Sequence, residues 1–185
     1  MVSVLTVIII VIVVVLLIYL ISVYNMLVGL RNNNKKSYSN IDVLLKQRND
    51  EIPNLVETVK GYMKHERNLL EQITKIRSAI TGAHSMGERA AADNMMHDAL
   101  KTLFAVAENY PKLKANENFM KLQNRITGLE NEIADRREFY NESVTIYNTR
   151  IESFPTLVFA KLFSFKHFDW FKATEKDKKA VKTSF

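Results

Sequence analysis

The chain has 185 residues, a formal net charge of +6 and no cysteine. The lack of cysteine excludes structural disulfides, thiolate zinc sites and cysteine nucleophiles. The charge does not indicate a nucleic-acid partner, because residues 155–185 alone carry seven lysines against three acidic residues, which leaves the rest near neutral. Five glycines and three prolines are few for this length, and such a composition favours an all-α fold.

The first thirty residues contain no charged side chain, and residues 2–23 are almost entirely Val, Ile and Leu. About 20 apolar residues in a helix cross the roughly 30 Å hydrocarbon core of a bilayer. A signal peptide would need a basic start, a shorter apolar run and a small-residue cleavage site. A buried core helix is the other alternative, but a run that is uncharged on every face suits lipid better. Residues 1–30 are therefore predicted to be a transmembrane anchor.

The residues around the anchor predict its orientation. No lysine or arginine precedes it, whereas Arg31, Lys35 and Lys36 follow it directly. The positive-inside rule then places the body in the cytoplasm and the amino terminus outside. Tyr19 and Tyr24 fall near the expected inner headgroup level, although they could equally pack on a neighbouring element.

Apolar residues recur at a spacing of three or four from Tyr38 to Ile80, which is typical of amphipathic helices. Pro53 lacks an N–H and disfavours helical geometry at the preceding residue. We therefore expect one helix to end near Arg48 and a second to run from Pro53 to about Ile80. A kink inside a continuous helix is the alternative.

Two further helices follow a predicted turn at Gly82, Ser85 and Gly87. The first has a face of small residues, including Ala91 and Ala99, and stops at Pro111. The second is expected to be capped by Asn116, to run for nearly forty residues and to end at Pro155. Short links between four helices predict an up-and-down four-helix bundle over residues 31–155, placed after the transmembrane helix.

The C-terminal segment, residues 156–185, is aromatic and then basic. Aromatic side chains with lysines among them can insert into an anionic membrane surface, or the rings can cap the open end of the bundle. Residues 172–185 are charged and predicted to be disordered. The ring-bearing residues of this region and its start are Phe154, Phe159, Phe163, Phe165, Phe168, Trp170 and Phe171.

Arg48 and Glu66 interrupt the apolar seam, and a buried charge has to be paired. Such pairs would fix helix register; the alternative is a polar groove that binds a partner. The candidate partners of Arg48 are Asp50, Glu130 and Asp135, and those of Glu66 are Arg136 and Arg137.

Polar residues are dense between Asn40 and Asn54, which makes this stretch the candidate for a localised function. It includes Asp42 and Asp50. Asp50 and Asn54 are expected to cap helix ends at the predicted break, which explains them without a ligand.

No catalytic constellation stands out in the sequence. His65 and Glu66 are adjacent, but a zinc-protease helix needs a second histidine four residues after the first, and position 69 is leucine. No nucleophile elbow or glycine-rich phosphate loop surrounds the serine residues. The chain is predicted not to be an enzyme and to need no metal or other cofactor.

Several short segments of the sequence are distinctive: Tyr24–Val28, Ser39–Val43, Ile52–Val56, Thr58–Tyr62, His65–Glu66, Leu113–Phe119, Arg136–Arg137, Tyr140–Asn141, Tyr147–Asn148 and Phe154–Pro155. Together they closely resemble the LemA family of bacterial membrane proteins. Tyr38 and Ile76 depart from the family's usual Trp and Ala, but the resemblance covers essentially the whole chain.

The resemblance implies an amino-terminal anchor and a cytoplasmic helical bundle in the bacterial inner membrane. It also implies links to envelope maintenance, to an HtpX-type membrane metalloprotease and, through a magnetosome-associated relative, to membrane organisation. The first hypothesis is a non-catalytic scaffold or adaptor that binds such a protease or its clients and can self-associate through the small-residue face or the span. The alternative is a membrane-organising protein whose C-terminal segment engages the lipid bilayer.

Overall fold

The computed structural model describes residues 3–173, and within them every regular element is a helix. The prediction of an all-α chain with a long apolar helix at its start is confirmed. A single turn of 3-10 helix, Lys64–Glu66, links the first two helices. The α-helices are α1 (Val4–Lys60), α2 (Arg67–Gly82), α3 (Met86–Ala107), α4 (Pro111–Lys114), α5 (Glu117–Glu152) and α6 (Thr156–Leu162).

Helix α1 runs through Pro53 without a break, so the predicted break at this proline is wrong. In a regular helix the N–H of residue 53 would donate to the carbonyl of Asn49. Proline cannot do so, and the Asn49 carbonyl instead accepts a hydrogen bond from Nε of Arg77 on α2, at 3.1 Å. A donor from a neighbouring helix thus replaces the missing backbone bond, which removes part of the cost of the proline.

The chain reverses later than predicted, after Lys60. The amides of Tyr62 and Met63 still donate to the Val59 carbonyl at 2.9 Å, and the 3-10 turn then leads into α2. Nδ2 of Asn49 donates to Oγ1 of Thr81 at 3.1 Å. The end of α2 therefore lies beside Asn49, about three turns before the end of α1, and the two helices form an antiparallel hairpin.

The turn predicted between the second and third helices is present, although Gly87 lies inside α3. Ser85 and Glu88 form a capping box, in which the Ser85 hydroxyl accepts from the Glu88 amide at 3.1 Å and the Glu88 carboxylate accepts from the Ser85 amide at 3.2 Å. The cap predicted at Asn116 is confirmed, because its side-chain oxygen accepts from the amide of Phe119 at 3.0 Å.

The described chain forms two compact units. One comprises residues 39–139 and 170–173, with a core contributed by α1, α2, α3, α4 and α5. The small-residue face of α3 lies in this core, with Ala91, Ala99 and Ala107 at most 4% exposed. That face packs inside its own unit, so it does not offer the surface for self-association that the sequence suggested.

The other unit comprises residues 3–38 and 140–169. Its core joins Val23 and Leu27 of α1 to Tyr147 and Ile151 of α5 and Ala160 of α6. The end of α5 thus packs against the end of the apolar stretch of α1. The up-and-down four-helix bundle itself stays a prediction. The division of the chain at residues 30 and 155 stays a prediction, and the predicted disorder of the tail falls mainly on residues 174–185, outside the described range.

Candidate functional site

The side chain of Arg48 lies buried among three helices in the unit of residues 39–139. Only 1% of it is exposed, and its two terminal nitrogens contact Oδ1 of Asp93 on α3 and Oε1 of Glu130 on α5, each at 2.6 Å. Asp93 is itself 2% exposed. Burial of a charge is unfavourable unless it is paired, so these contacts fix the mutual register of α1, α3 and α5.

The pairing continues outward from both carboxylates. Oε2 of Glu130 lies 2.7 Å from Nδ1 of His97, whose side chain is 58% exposed. Oδ2 of Asp93 lies 3.0 Å from a terminal nitrogen of Arg137, which also donates to Asn94 at 2.9 Å. Apart from the histidine, the network therefore contains two positively charged guanidinium groups and two negatively charged carboxylates.

Arg137 closes the network at the surface. Its guanidinium lies 5.0 Å from the ring centroid of Phe171, a geometry that suits a cation–π interaction. A surface depression of about 540 Å³ lies over the network, lined by His97, Asp98, Glu130 and Arg137 among others. The network has a solvent-facing side, but its central guanidinium is held by carboxylates on both sides.

The predicted pairing of Arg48 with Glu130 is confirmed, and the candidates Asp50 and Asp135 are not its partners. Asp93 was missed, although it follows three alanines, Ala90–Ala92, which are all buried. A carboxylate within a run of small core residues is the signal that would have identified it.

Glu66 does not pair with Arg136 or Arg137, so that prediction is wrong. Its carboxylate accepts a hydrogen bond from the Tyr110 hydroxyl at 3.3 Å, while Arg136 contacts Glu132 at 3.7 Å on the exposed face of α5. The chain reverses after Lys60 rather than at Pro53, so Glu66 lies in the 3-10 turn before α2 and not within the predicted second helix.

The polar stretch from Asn40 to Asn54 lies within α1 and forms no separate site. Asp42 forms an ion pair with Arg89, while Asn40, Asp50 and Asn54 are exposed. The prediction that Asp50 and Asn54 cap helix ends is wrong, because the helix does not end there. His65 is exposed in the 3-10 turn, and no group of three or more potential metal ligands occurs within residues 3–173.

The apolar part of α1 is exposed from Val4 through Tyr19. α1 is the one helix among residues 3–173 that is long and apolar enough to cross a membrane. The first residues of α1 that are buried in a core are Val23 and Leu27. The basic residues predicted to face the headgroups, Arg31, Lys35 and Lys36, are all exposed.

The aromatic residues after α5 pack beside the end of this apolar stretch. The ring of Tyr19 lies 6.2 Å from that of Phe159, and the ring of Tyr24 lies 5.1 Å from Phe163 and 6.0 Å from Phe165, all in edge-on geometry. The two tyrosines thus contact the C-terminal segment, which was the alternative to a purely lipid-facing role.

One side of α6 and its flanks is not covered by any part of residues 3–173. Phe154, Val158, Leu162 and Phe163 are 83%, 55%, 72% and 51% exposed. Residues 154, 158 and 162 are spaced four apart, while Thr156 and Ala160 are buried. The segment is amphipathic in the sense that one side packs on the protein and the other is apolar and bare.

The segment after α6 is tied to α5 by backbone contacts. Asn148 donates to the Phe168 carbonyl at 2.9 Å and accepts from the Phe168 amide at 3.1 Å, and the Phe168 ring lies 5.2 Å from that of Tyr147. The Tyr140 hydroxyl donates to the Asp169 carbonyl at 2.9 Å. Burial raises the pKa of Tyr140 to about 12, with Tyr38 and Asp169 acting in the same direction.

The predicted membrane-facing aromatics therefore divide into two groups. Phe163 and Trp170 are about half exposed, whereas Phe165 and Phe168 are half-buried in aromatic contacts. Phe171 is 1% exposed, so its assignment to a membrane interface is wrong. Its ring instead contacts Arg137 of the charge network.

The sequence model of the LemA family matches residues 37–185, which include the charge network and the aromatic segment. The chain belongs to the LemA family. This LemA-family chain is 26% identical to the magnetosome protein MamQ 2 of Paramagnetospirillum magneticum over 182 aligned positions, covering 83% of this chain and 66% of that protein. It is 27% identical to the protein LemA of Metamycoplasma hominis over 164 positions, covering 86% and 74% respectively.

The chain spans slightly less than two thirds of the length of the MamQ proteins it matches; for MamQ of Magnetospirillum gryphiswaldense the share is 65%, at 22% identity. Membership of the LemA family together with the apolar helix identifies a membrane-associated protein. Neither the family nor these relatives point to an enzyme.

Proposed function

We propose that this LemA-family protein is a non-catalytic adaptor that is anchored in the bacterial inner membrane and binds other proteins at its cytoplasmic face during envelope maintenance. The observation that carries the proposal is the exposed apolar start of α1, which continues as one helix into the helical body. Monomeric soluble proteins rarely expose contiguous apolar surface of this extent. The anchor holds the helical body at a membrane, and an adaptor acts by bringing its partner proteins to one place.

In-cell photocrosslinking from the body tests the adaptor role. A photoreactive phenylalanine analogue would replace, one at a time, exposed residues on different helices, namely Lys46, Lys75, Lys101 and Lys121. We expect protein adducts from at least one position, with an HtpX-type metalloprotease and its clients as the first candidates. A probe at Val11, which is exposed on the apolar stretch, is the control for contacts made within the lipid. Adducts between copies of the chain count as protein adducts. If no protein adduct forms at any of the four positions, the adaptor role is excluded.

A second candidate function is membrane organisation through the C-terminal segment. It is supported by the bare apolar side formed by Phe154, Val158 and Leu162, in a unit where Tyr19 packs against Phe159. A side chain at the same depth as Tyr19 and Tyr24 meets lipid rather than water if the apolar stretch spans the bilayer. The similarity to proteins named as magnetosome proteins is in keeping with such a role.

Fluorescence quenching by brominated lipid tests whether this side of α6 contacts the bilayer. The chain has a single tryptophan, so a Leu162→Trp, Trp170→Phe variant of the full-length protein reports from α6 alone. We expect strong quenching in reconstituted vesicles, comparable to that of a Val14→Trp, Trp170→Phe variant within the apolar stretch. A Lys112→Trp, Trp170→Phe variant is the water-facing control. Quenching at Leu162 no greater than at Lys112 excludes lipid contact by α6.

A further inference from the structure

A groove between the end of α1 and the start of α2 is separate from the charge network and from the aromatic segment. It has a volume of about 820 Å³ and lies entirely in the unit of residues 39–139. Val56, Met63 and Leu70 form its apolar floor, and of these Val56 is partly exposed. The groove follows the seam of the α1–α2 hairpin.

The rim of this groove is strongly basic. Lys60, Lys64 and Lys75 line it with exposed side chains, and none of them has an ion-pair partner within residues 3–173. The rim's single acidic residue, Glu71, pairs with Arg67 at 2.7 Å. Three lysines are therefore left unneutralised beside an apolar floor.

We propose that this groove docks an acidic amphipathic helix from a partner protein. The argument is charge complementarity, since glutamate or aspartate side chains flanking an apolar stripe would meet the three lysines while the stripe contacts the floor. Helix-in-groove binding of this kind uses apolar residues at helical spacing for contact and charged flanks for orientation. The proposal rests on the adaptor function and assigns it a surface and a class of partner.

The dimensions of the groove fit a short helix. The lining residues on α2 and its preceding turn extend from Lys64 to Lys75, which is about 16 Å at the helical rise. That length accommodates about three turns of a partner helix. The exposed lysines on either side of the floor also steer an acidic partner toward the groove, at rates that depend on salt.

Selection from a peptide library tests the chemistry of the partner. The library would fix a leucine face at helical spacing and vary the other positions among Glu, Lys, Gln and Ser. The target is the full-length protein in nanodiscs of phosphatidylcholine. We expect net acidic peptides to be enriched, and a Lys60→Glu, Lys64→Glu, Lys75→Glu variant to bind the enriched peptides at least about tenfold more weakly.

A charge-matched variant separates the groove from the general positive charge of the protein. Lys46→Glu, Lys101→Glu, Lys112→Glu makes the same change in net charge at exposed positions of the same unit that do not line the groove. We expect it to weaken binding by less than about threefold. Equal losses in the two variants, or a library that yields no acidic enrichment, would overturn the proposal.

A neutral variant tests the shape of the groove. Thr74 lines it and is exposed, so Thr74→Trp fills space without changing the charge, whereas Ser78→Trp places the same bulk one turn further along α2, outside the groove. We expect the first substitution to abolish peptide binding and the second to leave it unchanged. Binding that survives Thr74→Trp would contradict docking in the groove.

Two further outcomes distinguish this proposal from the adaptor function and from a lipid surface. Protein adducts that persist in cells when the three groove lysines are reversed would exclude the groove while leaving the adaptor intact. Binding of the groove to phosphatidylglycerol vesicles in place of acidic peptides, lost in the groove variant and kept in the matched variant, would identify a membrane surface as the ligand and overturn the protein partner.

Discussion

Arg48 is a fully buried cation whose two partners come from two other helices. The sequence identified it correctly as an interruption of the apolar seam and named Glu130 among its partners. The run Ala90–Ala92 marks Asp93 as a buried carboxylate, but periodicity alone does not show that it pairs with Arg48, because it gives the face a residue occupies and not the helix opposite that face. The network therefore depends on the tertiary arrangement of α1, α3 and α5, and local sequence patterns do not encode that arrangement.

Replacing Arg48 with methionine should strongly destabilise the protein. The substitution leaves Asp93 and Glu130 buried without their central cation, a loss of about 3–5 kcal/mol in the free energy of unfolding. Urea titration of the full-length protein in mild detergent, followed by circular dichroism, measures it. Arg125→Met is the control, since Arg125 pairs with Glu51 at 2.6 Å but is 64% exposed, and it should cost less than about 1 kcal/mol. Similar losses in both variants would contradict a stabilising role specific to the buried network.

The raised pKa of Tyr140 predicts that the stability of the protein depends on pH. Its pKa in the folded protein, about 12, exceeds the value of about 10 expected in the unfolded chain. The folded state therefore binds the Tyr140 hydroxyl proton more tightly than the unfolded state does. The resulting contribution to the free energy of unfolding is fully present below pH of about 10 and is lost as the pH rises through about 12. Tyr140→Phe also removes the hydrogen bond to Asp169, which should cost about 0.5–1.5 kcal/mol at neutral pH.

The measurement is the difference in unfolding free energy between wild type and Tyr140→Phe at increasing pH. We expect this difference to shrink between pH of about 10 and about 12, because the variant has no hydroxyl proton to lose there. A difference that stays constant across this range would show that Tyr140 does not carry the alkaline loss of stability.

At the scale of the element, helix α1 shows why proline alone is a poor guide to where a helix ends. The sequence contained both the interior proline and an uninterrupted apolar spacing across it, and these two signals disagreed. The structure offers an explanation in Arg77, a residue of a different helix that donates to the Asn49 carbonyl. The actual reversal follows Lys60, at Gly61, where the sequence offered only a single glycine as a signal.

A double-mutant cycle between Arg77 and Pro53 tests this explanation. Arg77→Met leaves the Asn49 carbonyl without its donor and should cost about 1 kcal/mol in unfolding free energy. In the Pro53→Ala background the backbone N–H returns to the same carbonyl, so the cost of Arg77→Met should fall by at least half. Arg67→Met, at a position that is 83% exposed, is the control for loss of a surface arginine. Additive effects of the Arg77 and Pro53 substitutions would contradict the exchange of donors.

At the scale of the molecule, the apolar start of α1 is what the sequence predicted best, because a long uncharged run has few alternative explanations. The position of the C-terminal segment was left open between lipid insertion and capping. The structure brings the end of α5 back to Val23 and Leu27, so that the aromatic residues contact Tyr19 and Tyr24 while the other side of α6 stays bare. Packing of the aromatic residues on the protein is thus observed, whereas lipid contact by the exposed side of α6 stays a prediction.

The orientation of the anchor can be measured with single cysteines, since the native chain contains none. Ser3→Cys lies before the apolar stretch and Lys101→Cys lies on α3 in the helical body. With an amino terminus outside and a body in the cytoplasm, as the positive-inside rule requires, a membrane-impermeant maleimide should label the Ser3 variant in intact spheroplasts. It should label the Lys101 variant only after permeabilisation.

A third cysteine tests whether the stretch between them lies in the bilayer. Val11→Cys should resist the reagent in intact and permeabilised spheroplasts and react only after solubilisation in denaturing detergent, because hydrocarbon excludes both the reagent and the thiolate that it needs. Labelling of Lys101→Cys in intact spheroplasts would reverse the orientation and place the basic groove outside the cell. Labelling of Val11→Cys before solubilisation would show that the apolar stretch does not span the bilayer. The proposal that the protein acts by holding its helical body at a membrane would then fail.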